Sequence, residues 1–191
     1  MNNTLAECPV TCLQHEGELQ EFLEIYKELK PKKVLEIGSF FGGTLWFFIK
    51  NNPNLEKLVV VDLPIPPSDA RHEEMVNSVL QWQSWFPENL EFKSYSGNSQ
   101  SNDLLINVHS QNEPDFDMLH IDADHTYNGV RLDYVNYCNL VKPGGIIVFH
   151  DVGHIPDVTR FWNEITANNN YKHQTIFHES GCGIGILYKK P

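Results

Sequence analysis

The chain has 191 residues, 41% hydrophobic and 20% charged, a length and balance that suit one folded domain burying about 70% of its unfolded surface. Twenty-five acidic against 14 basic residues give a formal net charge of −11, and no basic cluster is longer than Lys32-Lys33 or Lys189-Lys190, which argues against nucleic acid or an anionic membrane as partner. No run approaches the roughly 18 apolar residues of a membrane span, and the start, MNNTLAECPV, lacks a basic segment followed by an apolar stretch, so a cytoplasmic location is expected.

The first element expected is an amphipathic helix over Glu18 to Leu29, with Leu19, Phe22, Leu23, Tyr26 and Leu29 on one face and Pro31 ending it. With it, residues 1–31 form a helical segment packed on the rest of a single domain spanning 1–191. Val34 to Ile37 is the first strand, Thr44 to Lys50 the first crossover helix, and Leu58 to Val61 the second strand. Leu63 to Pro67, LPIPP, is too proline-rich for helix or central strand. Glu73 to Trp85 reads as a helix with Met75, Val76, Val79 and Leu80 inward, followed by a strand over Leu90 to Tyr95 and a helix over Asp103 to Ser110. Met118 to Ile121 is the fourth strand. A helix over Gly129 to Val141 buries Val130, Tyr134, Val135, Cys138 and Val141; Pro143-Gly144-Gly145 then turns into the fifth strand, Ile146 to Phe149. Lys172 to Phe177 and Gly183 to Tyr188 read as a terminal antiparallel hairpin. Strands alternating with helices imply an α/β, doubly wound (Rossmann-like) parallel sheet with helices on both faces. Cys8, Cys12, Cys138 and Cys182 lack the paired spacing of a zinc site and read as free thiols.

In KVLEIGSFFGG an apolar strand runs against an acid and spaced glycines (Glu36, Gly38, Gly42), and the second strand stops at Asp62. Little side-chain bulk at a strand's exit lets the backbone approach a ligand, and an acid ending the next strand can accept hydrogen bonds from a ribose diol. The first glycine of the G-x-G-x-x-G fingerprint is missing, which argues against a pyrophosphate and so against a nicotinamide cofactor. A carboxylate inside the loop favours a ligand bearing positive charge. S-adenosylmethionine, with a ribose, an amino group and a sulfonium, fits. The Gly97-Asn98-Ser99 turn strengthens the reading of a cofactor over a plain tight turn.

The fourth and fifth strands deliver His120-Ile121-Asp122-Ala123-Asp124-His125 and His150-Asp151 to the same rim. Carboxylates suit a divalent cation such as Mg2+, and imidazole shifts the preference toward other divalent metals. Asp122 and Asp151 could instead cap the helices that follow. His125 is either a general base for an acceptor hydroxyl or a polar surface residue. His120 is expected in the core with a backbone partner.

The stretches VLEIGSFFGGT, VVVDL and DMLHIDADHTYNGVRLDYVNYCNLVKPGGIIVFHDV resemble class I S-adenosylmethionine-dependent methyltransferases, in a subgroup that includes macrolide-sugar O-methyltransferases and cephalosporin-hydroxylase-like proteins. The likeness covers roughly Lys32 to Gly153. It implies a seven-stranded sheet with an antiparallel last strand. It implies that Glu36, Gly38, Phe40, Gly42 and Thr44 line the methionine and ribose side, that Asp62 binds the ribose hydroxyls, and that Asn98 and Ser99 meet the adenine. It further implies a metal held by Asp122, His150 and Asp151, although His150 departs from the usual acidic or amide chemistry at its position. His125 stands where such enzymes often carry a basic residue.

The function expected is methyl transfer from S-adenosylmethionine to a small-molecule hydroxyl, on a sugar or secondary metabolite, with Asp122 and His125 catalytic. The alternative is a cofactor-binding partner or sensor without chemistry. A homo-oligomer stays open.

Overall fold

Short apolar runs become a sheet when both faces are to be covered, because each buried backbone group then needs a partner on a neighbouring strand. In the computed structural model, which describes residues 4–167 and 171–190, the strands are β1 (Lys33–Ile37), β2 (Lys57–Asp62), β3 (Glu91–Ser96), β4 (Phe116–Ile121), β5 (Val141–Phe149), β6 (Lys172–Ile176) and β7 (Ile184–Tyr188). They form one sheet in the order β3-β2-β1-β4-β5-β7-β6. Pairing is parallel from β3 through β5, while β7 runs antiparallel to both β5 and β6. This is the doubly wound, Rossmann-like sheet with its antiparallel last strand. Met1 to Asn3, the beginning of the segment read for a leader, lie outside the described residues. No helix among the described residues is long and apolar enough to cross a membrane.

Strand alternation divides the core in two. Val34, Val60, Met118 and Val148 face one layer with α1 (Glu16–Leu29) and α2 (Gly43–Asn51), together with Trp82 at the end of α3 (His72–Trp82). Leu35, Val59, Leu119 and Ile147 face the other, with α4 (Asn102–Gln111), α5 (Tyr127–Tyr137) and α6 (Pro156–Ala167). The strand order reverses between β1 and β4, which opens a crevice beyond their carboxyl ends, the place where ligands of such sheets bind.

Three expectations need correction. α3 ends at Trp82, and its apolar residues Val76, Val79 and Leu80 are exposed while Ser78 and Trp82 are buried. Near the edge of the sheet the helix turns its aromatic end inward, because the Trp82 indole fills the space beside Gly42 and donates to the Phe41 carbonyl at 2.9 Å. α5 ends at Tyr137 and a short 3-10 turn, Cys138–Leu140, leads into β5 at Val141, so Pro143-Gly144-Gly145 lies inside an irregular strand opposite a register shift in β4. Asp133 and Tyr137 are buried there, and Val135 is exposed. α6 was missed, although Val158, Phe161, Trp162 and Ile165 are spaced for one buried helical face.

Candidate functional site

β1 leaves the sheet at Gly38 (φ 84°), where a Cβ would collide with the backbone carbonyl of Asp122. Only glycine lets this loop pack so closely on the end of β4. Phe40 also adopts a left-handed conformation (φ 49°), a strain that its surroundings hold in place. The Phe40 N–H donates to Asp62 Oδ2 at 2.7 Å, joined by the Ser39 N–H at 3.2 Å and its hydroxyl at 3.1 Å, and the Leu63 N–H donates to Oδ1 at 2.8 Å. Asp62 therefore organises the glycine loop from the end of β2. Burial lifts its carboxyl above the ordinary value, and these bonds oppose the rise.

A cavity of about 430 Å³ lies above this loop, bounded by Gly38, Phe40, Thr44 and Asp62 on one side and by Asp122, His125, His150 and Asp151 on the other. A neighbouring cavity of about 310 Å³ is lined by Asn98 and Ser99 and shares Asp62 and Ala123 with the first, so the two form one cleft along the strand ends. Ser99 donates to Asp133 Oδ1 at 2.7 Å and accepts a bond from the Tyr137 hydroxyl at its carbonyl, also at 2.7 Å. Asp133 is fully buried with Oδ2 unpaired, and burial raises its carboxyl to about 6.

Two residues expected at the cavity lie elsewhere. Glu36 is fully buried on the α1–α2 face of β1, where the pleat points it at His120, whose Nδ1 is 2.9 Å from its Oε1. Desolvation raises the Glu36 carboxyl despite that contact, and its Oε2 has no partner. His120 thus has a carboxylate partner, not a backbone one. Gly42 (φ 86°) packs against Trp82 and serves the turn.

The second constellation converges. His125 Nε2 lies 3.3 Å from Asp122 Oδ1 and 3.1 Å from Asp151 Oδ2, and His150 Nδ1 lies 3.3 and 3.4 Å from the same two oxygens. Neither carboxylate caps a helix in these contacts. Thr126 caps α5 by accepting from the Gly129 N–H at 3.0 Å, and Asp124 accepts from the Thr126 N–H at 2.9 Å. Asp151 sits in a left-handed conformation (φ 64°) that aims it at the cluster. Desolvation alone would raise the Asp122 carboxyl, but the charge of His150 and the hydrogen bonds from both histidines outweigh it and hold it well below the usual range. Burial would lower His150, yet the two carboxylates push it up to about 10. The hydrogen bond to Asp122 likewise raises His125. The arrangement can bind a cation, polarise an oxygen and exchange a proton.

Sequence reasoning missed one wall. Thr11 to Gln14, ahead of α1, cross the cavity mouth, and Gln14 Nε2 donates to Asp122 Oδ2 at 3.1 Å. Arg71 and Cys182 complete the lining. The Cys182 thiol is raised to about 11 by burial and by Asp151. No spacing connects residues 11–14 or 182 with the strand-end motifs, so only the folded chain reveals them.

Residues 35–152 match the Methyltransferase domain family, and the chain belongs to that family. It is similar to the caffeoyl-CoA O-methyltransferase of Stellaria longipes, 31% identical over 137 residues, 70% of this chain and 50% of that protein. It is also similar to a tRNA N(3)-methylcytidine methyltransferase of Schizosaccharomyces pombe, 26% identical over 174 residues, 90% of this chain and 52% of that one. Among solved structures, an O-methyltransferase from Bacillus cereus in complex with SAH superposes with a TM-score of 0.66 at 17% identity, covering 97% of this chain and 86% of that one. The chain spans between 17% and 52% of the length of the curated relatives it matches.

Proposed function

We propose that the chain transfers a methyl group from S-adenosylmethionine to a hydroxyl of a small molecule, of the sugar or secondary-metabolite kind. One observation carries the reading: a single cleft has Asp62 and the glycine loop at one end and the Asp122, His125, His150 and Asp151 cluster at the other. The O-methyltransferase names among its relatives support it. The relative named for tRNA points the other way on the acceptor, but a net charge of −11 opposes a polyphosphate chain, so a small acceptor is favoured.

The residues fit the donor. Gly38 lets the loop pack on the end of β4, Asp62 keeps a half-buried carboxylate at the position for a ribose diol, Phe40 and Thr44 bound the methionine side, and Asn98 and Ser99 bound the adenine side. Glu36 and Gly42 then support the loop from beneath. S-adenosylmethionine supplies a methyl group activated by its sulfonium. The chain's part is largely positioning, which holds an acceptor oxygen in line with that methyl and removes the entropy cost of the encounter.

The donor set also fits a divalent cation, since Asp122 and Asp151 offer oxygens and the buried His150 turns its Nδ1 to both of them. Asp122, His150 and Asp151 would hold Mg2+ or another divalent metal, which lowers the pKa of a hydroxyl that it meets. His125, partly exposed at the cavity edge, takes the proton from the acceptor oxygen. Replacing His125 with Ala is expected to lower turnover by about 100-fold with affinity for S-adenosylhomocysteine unchanged. Intact turnover would remove His125 from the mechanism. Incubation with methyl-labelled S-adenosylmethionine and a panel of hydroxylated metabolites tests the activity itself. Binding without transfer to any acceptor would favour a cofactor-binding module.

A further inference from the structure

We propose that the cleft takes a borderline transition-metal dication of the zinc, cobalt(II) or iron(II) kind in preference to magnesium, with the Cys182 thiolate joining His150 and Asp151 as a ligand; this rests on the methyl-transfer reading of the cleft and specifies its metal. The donor atoms of His150, Asp151 and Cys182 all lie within 4.8 Å of one another. Those of Asp122, His125 and Asp151 do so as well, and Asp151 belongs to both groups. His150 Nδ1 is 3.3 Å from Asp122 Oδ1 and 3.4 Å from Asp151 Oδ2. Neighbouring donors around an ion about 2.1 Å away are roughly 3.0–3.4 Å apart, so the oxygens and the imidazole already have that spacing, and the thiol needs only a short inward movement.

The thiol does not reach this place by chance of a floppy loop. Glu18 of α1 is fully buried, and its carboxylate accepts the N–H groups of His178 at 2.9 Å, Cys182 at 3.0 Å and Gly183 at 2.9 Å. A Cβ at Gly181 would collide with that carboxylate, and one at Gly183 (φ 84°) would come within 2.7 Å of the Gly153 nitrogen. The turn after Asp151 is tied to the same loop, since Gly153 N–H donates to the Cys182 carbonyl at 2.9 Å and Val152 N–H to the Gly183 carbonyl at 3.2 Å. A buried anion spent on three backbone donors is a costly way to hold a loop. Its result is that the segments bearing Cys182 and Asp151 keep a fixed separation.

The buried imidazole fixes the kind of ion: His150 is 5% exposed and turns its Nδ1 to both carboxylates. Magnesium prefers near-octahedral oxygen ligands and retained water. A buried imidazole and a thiol beside two carboxylates are instead the mixed nitrogen, sulfur and oxygen set of zinc and its neighbours. When Cys182 ligates, its proton leaves to solvent and the sulfur–metal bond replaces the S–H bond.

The test is a cobalt(II) titration of chelator-treated protein followed by absorption, with parallel calorimetry of zinc and magnesium. A thiolate-to-cobalt band in the near ultraviolet is expected in the unmodified chain and in C138S, and is lost in C182S. Zinc should bind on the order of 100-fold tighter than magnesium. In C182S the zinc affinity should fall by about 10-fold or more, with the midpoint of urea unfolding in metal-free protein preserved as the check on folding. Identical cobalt spectra in the unmodified chain and C182S, or magnesium binding as tightly as zinc, would overturn the proposal. A cobalt–thiolate band in a protein that ignores S-adenosylhomocysteine would sink the methyl-transfer reading and leave the metal site standing; cofactor binding without the band would do the reverse.

Discussion

Asp133 offers a sharp test of how the floor of the Ser99 cavity is built. Its side chain on α5 has no exposed surface, accepts one bond from the Ser99 hydroxyl, feels the charge of Asp124, and lies near the Tyr137 ring. Burial raises its carboxyl from 3.8 to about 6. The native state therefore binds this proton more tightly than the unfolded chain, and the resulting stabilisation is complete below about pH 4 and lost as pH rises through 6. Roughly two pKa units at about 1.4 kcal/mol each make the loss about 3 kcal/mol. D133N carries a neutral amide that can still accept from Ser99, so it should escape the loss. Urea unfolding at intervals from pH 4 to pH 7.5 should show D133N gaining about 3 kcal/mol on the unmodified chain across that range. At neutral pH this corresponds to a melting temperature about 6–12 °C higher. Parallel stability profiles for the two proteins would refute the reasoning and mean that the Asp133 carboxyl titrates in the native state as it does in the unfolded chain.

The titration of His125 in the metal-free protein supplies a second check, since the hydrogen bond and charge of Asp122, with the charge of Asp151, hold its proton. Its ring resonances should titrate with a midpoint above the ordinary histidine value of about 6.5, and a midpoint below that value would show that the two carboxylates do not hold the proton. Gly38→Ala should weaken S-adenosylhomocysteine binding by about 10-fold or more, because the collision with the Asp122 carbonyl and the positive φ together cost about 1–3 kcal/mol. Unchanged affinity by calorimetry would mean that the loop has slack there. Glu18→Ala leaves three backbone donors without their acceptor and should destabilise the protein by roughly 3–6 kcal/mol in denaturant unfolding, with Glu18→Gln recovering part of it. A loss under 1 kcal/mol would show the loop to be held by other contacts.

What the sequence determined by itself was whatever depends on local periodicity and on where strands end. Runs such as Leu58 to Val61 and Ile146 to Phe149 announce buried strands, and their order with intervening helices announces the doubly wound sheet. Gly38, Asp62, Asp122 and Asp151 were legible because a parallel sheet brings every strand's carboxyl end to one edge, so residues just past those ends must be neighbours. Periodicity does not say which apolar face a helix buries when it lies near a sheet edge, and so α3 was turned inside out. Nor does it say which side of a strand an acid takes, and so Glu36 was assigned to the ligand when the pleat aims it at His120. Gln14 reaches the cleft from 108 residues before Asp122, and Glu18 holds the Cys182 loop in place across 164 residues. Tertiary structure alone decided their place, because contacts between parts of the chain so far apart are chosen by packing and by buried hydrogen-bond demand, neither of which leaves a mark in local sequence.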